Sequence, residues 1–272
     1  MHMRVYLVGV LALALIVVLL WFNFSSDNSQ DQIPDSGVLG LPAEVTVLQP
    51  PPVERQKREA PVAMFEHVAT PEKQPVLPPL NESDLYARDQ VAALSSDLLW
   101  KRWTNRDDLV RRFAVIVENA ARGELPRRQL GFLVPQGKFK VIKYGKKIIL
   151  DSQAYARYDP LVEAILTLPV EPSAKLLVVF QPLLAEALQE LGIKEIKGQT
   201  LLFTAIDQVL ATPVLHGDIE LKQPRVLYRF ADDKLESLSP LQKQIMRMGP
   251  SNTLRLQTFV RRLVLSLEGD ML

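Results

Sequence analysis

Two arginines near the boundaries of predicted helices are the residues best suited to binding in this sequence. Arg157 precedes Asp159 by two positions, and Arg247 precedes Asn252 by five. Arginine side chains present planar, two-pronged donors that match the oxygens of a carboxylate or a phosphate. The sequence therefore nominates Arg157, Asp159, Arg247 and Asn252 as a binding site for an anionic group.

The same residues have a structural explanation, which we favour over binding. Asp159 stands before Pro160, an arrangement typical of an N-cap followed by proline in the first helical turn. Gly249-Pro250 ends one predicted helix and begins another, and Arg247 would bond a carbonyl at the helix end. On this interpretation the arginines and their neighbours brace helix ends.

Catalytic chemistry has few candidates. The chain contains no cysteine and three histidines, of which only His216 lies in the C-terminal two thirds. A single histidine with scattered carboxylates is not the usual zinc ligand set, and no glycine-rich phosphate loop is present. His216 stands in a turn-like His-Gly-Asp sequence with no nucleophile-elbow pattern. We predict no cofactor, no metal and no catalytic residue.

Paired carboxylates are the remaining route to an enzyme. Glu186 and Glu190 are four positions apart in a predicted helix and share one face. A general acid acting on a glycan needs carboxylates on opposite sides of a cleft. We favour the interpretation that the two glutamates are like charges on one solvated helix face. The alternative function is a cell-wall-active hydrolase that uses a carboxylate as its general acid.

The amino-terminal region predicts a tether. Val5 to Phe24 carries no charged residue and, as a helix, would rise about 30 Å, which is enough to cross a bilayer core. Trp21, Phe22 and Phe24 stand at its far end, where aromatic rings favour the membrane interface. A cleaved signal peptide is the alternative, but the run is long and no small-x-small cleavage site follows it. We expect an uncleaved single-pass anchor at 5–24 after a cytoplasmic tail at 1–4.

The composition of residues 25–79 predicts a disordered linker. The segment holds half of the chain's twenty prolines and has no amphipathic period. Val45 to Leu48 and Val62 to Phe65 are short apolar islets that could dock on a partner or on the folded part, although an unstructured state is favoured for both.

Residues 80–272 predict one α+β domain, mainly helical with two small β-hairpins. Asn81 is expected to cap the first helix and Leu80 to pack on Leu85. Trp100 and Trp103 are interpreted as core residues rather than an exposed binding pair. A kink or break is expected at Pro182. The apolar stripe of the last helix predicts burial of Leu256, Phe259, Val260, Leu263, Val264 and Leu267.

Lysines mark one of the hairpins. Lys138, Lys140, Lys143, Lys146 and Lys147 lie on or beside the predicted strands 139–142 and 147–150. They could meet anionic lipid or wall polymer. Lysines also protect exposed strand edges against unwanted pairing, and this is the interpretation we favour.

Several segments resemble a bacterial family known only as domain of unknown function 3014. They are Arg157-Tyr158-Asp159, Gln181 to Leu184, Leu210 to Pro213, Leu235 to Ser239 and, most specifically, Gln242 to Asn252. The resemblance covers roughly all of 80–272. It implies an anchored envelope protein of proteobacterial type, and it supplies no catalytic residues.

Together these patterns predict a protein of the bacterial inner membrane. Its amino terminus would lie in the cytoplasm and its C-terminal domain in the periplasm, where it binds a protein or an envelope polymer. The expected partners are the membrane and that envelope component, with no nucleic acid.

Overall fold

The computed structural model describes residues 46–48, 76–126, 135, 139–193 and 198–270. The predicted anchor at 5–24 and the islet at 62–65 lie outside these residues. No helix among the described residues has the length and apolar character needed to cross a bilayer.

Helices dominate the described chain. Nine α-helices are present there: α1 Ser83–Leu94, α2 Leu98–Thr104, α3 Leu109–Ala121, α4 Asp159–Leu166, α5 Val170–Glu190, α6 Gly198–Leu210, α7 Asp233–Glu236, α8 Pro240–Met246 and α9 Pro250–Asp270. Short 3-10 turns occupy Leu80–Glu82, Ser152–Ala154 and Ala156–Tyr158.

Within the described ranges, six short strands form two antiparallel sheets. They are β1 Thr46–Leu48, β2 Val141–Tyr144, β3 Lys147–Leu150, β4 Val214–His216, β5 Glu220–Lys222 and β6 Arg229–Phe230. β1 pairs with β4, and the second sheet has the order β2-β3-β5-β6. The predicted α+β class is therefore confirmed. The two expected hairpins are one sheet, because β3 also pairs with β5.

The main core lies between α3, α5, α6 and α9. The apolar stripe of α9 is buried as expected, and Trp100 and Trp103 of α2 are buried in an edge-to-face contact with ring centroids 5.2 Å apart. A smaller core lies under the second sheet, where Leu221, Phe230 and Leu235 pack together. The sheet and the helices thus meet along the segment from Ser152 to Tyr158.

The start of the domain differs from the prediction. Asn81 lies inside a 3-10 turn and accepts a hydrogen bond from Arg111, so it caps no helix. Leu80 is buried, whereas Leu85 is 66% exposed, so the two do not pack as expected. The carboxylate that stabilises a helix start here is Asp84, which accepts from the backbone N–H groups that open α3.

Pro182 does not interrupt its helix. α5 runs without a break from Val170 to Glu190, and the proline lies on its exposed side. The missing proline N–H costs about 3 kcal/mol in a helix interior. Burial of Phe180, Leu183 and Leu184 on the opposite side offsets that cost.

The apolar islet at 45–48 is partly structured. Thr46–Leu48 forms β1 against β4, whereas the sequence favours an unstructured state. The partner strand, β4, lies far along the chain, so no local sequence pattern predicts the pairing.

Candidate functional site

The structure separates the four nominated residues into two pairs that meet at one short segment. Asp159 contacts Asn252, whereas Arg157 bonds the hydroxyl of Tyr158 and its charge acts on Arg247. The segment 155–159 is therefore the point where the two most distinctive sequence stretches come into contact.

Asn252 is a buried link between two helix starts. Its side chain is 2% exposed, and Nδ2 donates to Asp159 Oδ1 at 2.8 Å and to the carbonyl of Met248 at 3.2 Å. Asp159 is the first residue of α4 and makes no side-chain cap, so its predicted capping role is wrong. Its carboxylate instead joins α4 to α9, which is a structural role.

Gly249 lies directly against Tyr155. Its φ is +84°, and a Cβ added there would lie 2.4 Å from Cγ of the tyrosine ring. Burial, with smaller contributions from the charges of Asp151 and Asp218, raises the pKa of Tyr155 to about 12. The Gly249 position thus requires both a left-handed backbone and the absence of a side chain.

Tyr158 connects the first arginine to α8. Its ring is fully buried, and its hydroxyl accepts from Arg157 Nη2 and from Gln244 Nε2, both at 2.9 Å. The Arg157 guanidinium also lies 5.7 Å from the ring centroid of Phe139. Arg157 is consequently held in place by an aromatic ring and a hydroxyl.

Arg247 has a different environment. Its guanidinium lies 5.2 Å from the centre of the Phe230 ring and is half-buried. Burial lowers the pKa of Arg247, and the nearby charge of Arg157 lowers it further, while Tyr158 and Glu236 act in the opposite direction. The predicted bond from this side chain to a helix-end carbonyl is not formed.

The carboxylate whose charge acts on Arg247 is that of Glu236, and it already accepts two hydrogen bonds. Glu236 accepts from Lys243 Nζ at 3.1 Å and from the backbone N–H of Phe230 at 3.0 Å. In the part of the chain that the structure describes, the Arg247 guanidinium makes no hydrogen bond and no ion pair. It is thus a partly desolvated positive charge with no hydrogen-bonded or ion-paired anion among the described residues, and an external carboxylate or phosphate would provide that partner.

An open groove lies further along the contact of α4 with α9. Arg255, one turn after Asn252, pairs with Glu163 at 2.6 Å and also borders the groove. The groove has a volume of about 670 Å³, and its wall includes residues of the α4–α5 connection and of α9. Its lining is mainly apolar, with Leu254 41% exposed.

The other candidates from the sequence do not form a catalytic arrangement. His216 ends β4, and its buried Nε2 has no hydrogen-bond partner in the portion of the chain that is described. Glu186 and Glu190 are both exposed on α5, and the hydrogen bond from Arg111 lowers the pKa of Glu190. No cluster of metal-ligating side chains is present among the described residues.

The lysine-rich hairpin lies at a sheet edge. β2 is the outermost strand of the second sheet, and Lys147 of β3 lies 3.8 Å from Glu220 of β5. This position fits the interpretation that lysines protect an edge. Lys138 lies outside the described residues.

Three members of the arginine site were missed at the sequence level. Tyr158 and Gln244 stand inside the stretches already singled out, so their neighbourhood was a usable signal. No sequence signal indicated Phe230, because its contact with Arg247 forms only where β6 lies next to the end of α8.

Comparison with known proteins places the chain in a family. A family model described as "Protein of unknown function (DUF3014)" matches residues 109–264, which include all four nominated residues. No curated protein and no solved structure matches.

Proposed function

Since the chain belongs to the DUF3014 family, whose description names no activity, we propose its function from the site alone. The domain is a non-enzymatic binding module that holds a carboxylate or phosphate group of an envelope protein or wall polymer between Arg157 and Arg247. The observation that carries this proposal is the half-buried Arg247, whose guanidinium lies over an aromatic ring and makes no hydrogen bond or ion pair among the described residues.

The surroundings of the site support binding rather than bracing. A cation that only stabilised a helix end would contact a carbonyl or a carboxylate, and Arg247 contacts neither in the described chain. A buried guanidinium beside another positive charge costs energy unless an anion compensates it, and Arg247 has no hydrogen-bonded or ion-paired anion among the described residues. A bound ligand would restore that balance.

The hydrolase alternative has weaker support. A catalytic acid needs a pKa raised toward neutrality, usually by burial or by a neighbouring negative charge. Glu190 has a pKa shifted downward by Arg111. The open, largely apolar groove beside α9 also fits a binding surface better than a closed catalytic cleft.

Anion binding is testable by thermal unfolding and titration calorimetry with inorganic phosphate and with acetate. Ligand at a hundredfold excess over its dissociation constant stabilises a protein by about 2.7 kcal/mol, or about 5–10 °C for a domain of this size. Arg247→Gln should abolish the shift and change the unfolding free energy of the free protein by less than about 1 kcal/mol. The relative size of the two shifts tells phosphate from carboxylate.

Two further variants complete that experiment. Arg157→Gln should also abolish binding, but it should lower the unfolding free energy by about 1–2 kcal/mol because the bond to Tyr158 is lost. Arg225→Gln is the matched control, since Arg225 is exposed and makes no ion pair in the described chain. The proposal fails if wild type and Arg247→Gln respond equally to both anions.

The membrane location is part of the proposal and rests on the sequence. The uncharged run from Val5 to Phe24 would hold the domain on the periplasmic side of the inner membrane. A reporter that works only after export should be active when fused after Pro79, and the mature chain should keep its first 25 or so residues. The same fusion without residues 5–24 is the control. Activity of a cytoplasmic reporter at this position would contradict the topology.

A further inference from the structure

β4 uses one of its edges to pair with a segment that precedes the folded domain. β1 runs antiparallel to it, with Thr46 opposite His216, Val47 opposite Leu215 and Leu48 opposite Val214. Among the described strands, β1 is the sole partner of β4. The whole of this small sheet therefore depends on residues from the proline-rich part of the chain.

The acceptor strand is fixed by the domain itself. Val214 and Leu215 are 2% and 4% exposed, and β4 packs against α9. Gln257 of α9 donates to the carbonyl of Thr212 at 2.8 Å, which holds the chain just before the strand. β4 thus holds the edge that pairs with β1 in a defined position, as strand-addition sites in other proteins do.

The donor strand is short for a reason visible in the sequence. Pro42 and Pro50 flank it. Proline has no backbone N–H and cannot continue a ladder, so the pairing is confined to the few residues between them. So short a ladder is weak in isolation, and it is favoured because β1 belongs to the same chain as β4, which makes the pairing intramolecular.

We infer that the β4 edge is a peptide-binding site that β1 occupies in cis, and that an envelope protein with an extended, apolar, proline-free segment binds there by displacing β1. Backbone hydrogen bonds supply the affinity in this mode, and alternate side chains supply the selectivity. The site is separate from the arginine pair and does not depend on it. It takes a polypeptide, whereas the arginines take an anionic group.

The test uses the full-length chain in detergent micelles and two sets of proline substitutions. In an antiparallel pair, alternate residues direct their N–H groups toward the partner strand. Either Val47→Pro or the double change Thr46→Pro with Leu48→Pro must therefore remove the donors that face β4. Val53→Pro, placed beyond the ladder, is the matched control.

Two measurements decide the outcome. Hydrogen exchange at the β4 amides should accelerate at least tenfold in one of the two β1 variants and not in the control. A fluorescent peptide of residues 43–49 should then bind that variant at least tenfold more tightly than the wild type, in which β1 competes. The inference is overturned if exchange is unchanged in both variants, or if a peptide carrying proline at the ladder positions binds equally well.

Discussion

Replacing Gly249 by alanine should lower the free energy of unfolding by about 2–5 kcal/mol, as measured by urea denaturation. Two costs combine at this position. A residue with a Cβ pays about 1–2 kcal/mol to adopt the left-handed backbone that Gly249 has at φ +84°. The new methyl group would also lie 2.4 Å from the Tyr155 ring, which is packed between α9 and the second sheet and has little room to move.

Gly192 offers a matched control for that experiment. It has nearly the same backbone angle, φ +83°, but no atom lies within 4 Å of its would-be Cβ. Gly192→Ala should therefore cost only the backbone penalty of about 1–2 kcal/mol. Equal losses in the two variants would show that the contact with Tyr155 adds nothing, against the packing described here.

Trp100→Ala should destabilise the domain by about 3–5 kcal/mol. The indole is 1% exposed and lies edge-to-face with Trp103, and its Nε1 donates to the carbonyl of Ala164 at 2.7 Å. Its loss opens a cavity between α2 and α4 and leaves that carbonyl with one donor fewer. Chemical denaturation followed by circular dichroism measures the effect.

Leu98→Ala is the control on the same helix. Leu98 is 76% exposed, so its truncation should change the unfolding free energy by less than about 0.5 kcal/mol. Trp100→Phe should fall between the two, since it keeps much of the ring volume and loses the hydrogen bond. If Trp100→Ala costs no more than Leu98→Ala, the tryptophan pair is not a core element.

Periodic apolar patterns predicted most of this fold. The stripe of α9 is buried in the structure, because burial of one helix face dominates the energetics of an amphipathic segment. Two helix starts also follow the local capping preferences of their residues. Asp232 caps α7, and Ser239 forms a capping box with Gln242 at the start of α8.

Long-range partners were not predictable in the same way. Asp84 stabilises the start of α3 from a different helix, and Asn81, the predicted cap of the first helix, accepts a hydrogen bond from Arg111 instead. Asp159 stands before a proline like a cap, but the partner it finds is Asn252, far along the chain. Side chains able to cap a helix can equally bond a distant donor, and only the tertiary packing decides between the two.

For the candidate site, the sequence predicted the two arginines but not their contacts. Arg157 and Arg247 were nominated because of their residue type, and the structure brings them together. Their different environments depend on contacts that no spacing reveals. Arg157 bonds Tyr158, whereas Arg247 lies over Phe230 and makes no ion pair in the described chain.

α9 follows α5 and α6, against which it packs, and this order has a consequence for biosynthesis. Its buried residues complete the main core, and Gln257 donates to the carbonyls of Val209 and Thr212 at the end of α6. A nascent chain emerges from its amino terminus onward, so the faces of α5 and α6 that pack against α9 stay uncovered until α9 has been synthesised. Until then their apolar faces are open to chaperones and proteases, and a chain cut short before Pro250 remains in that exposed state.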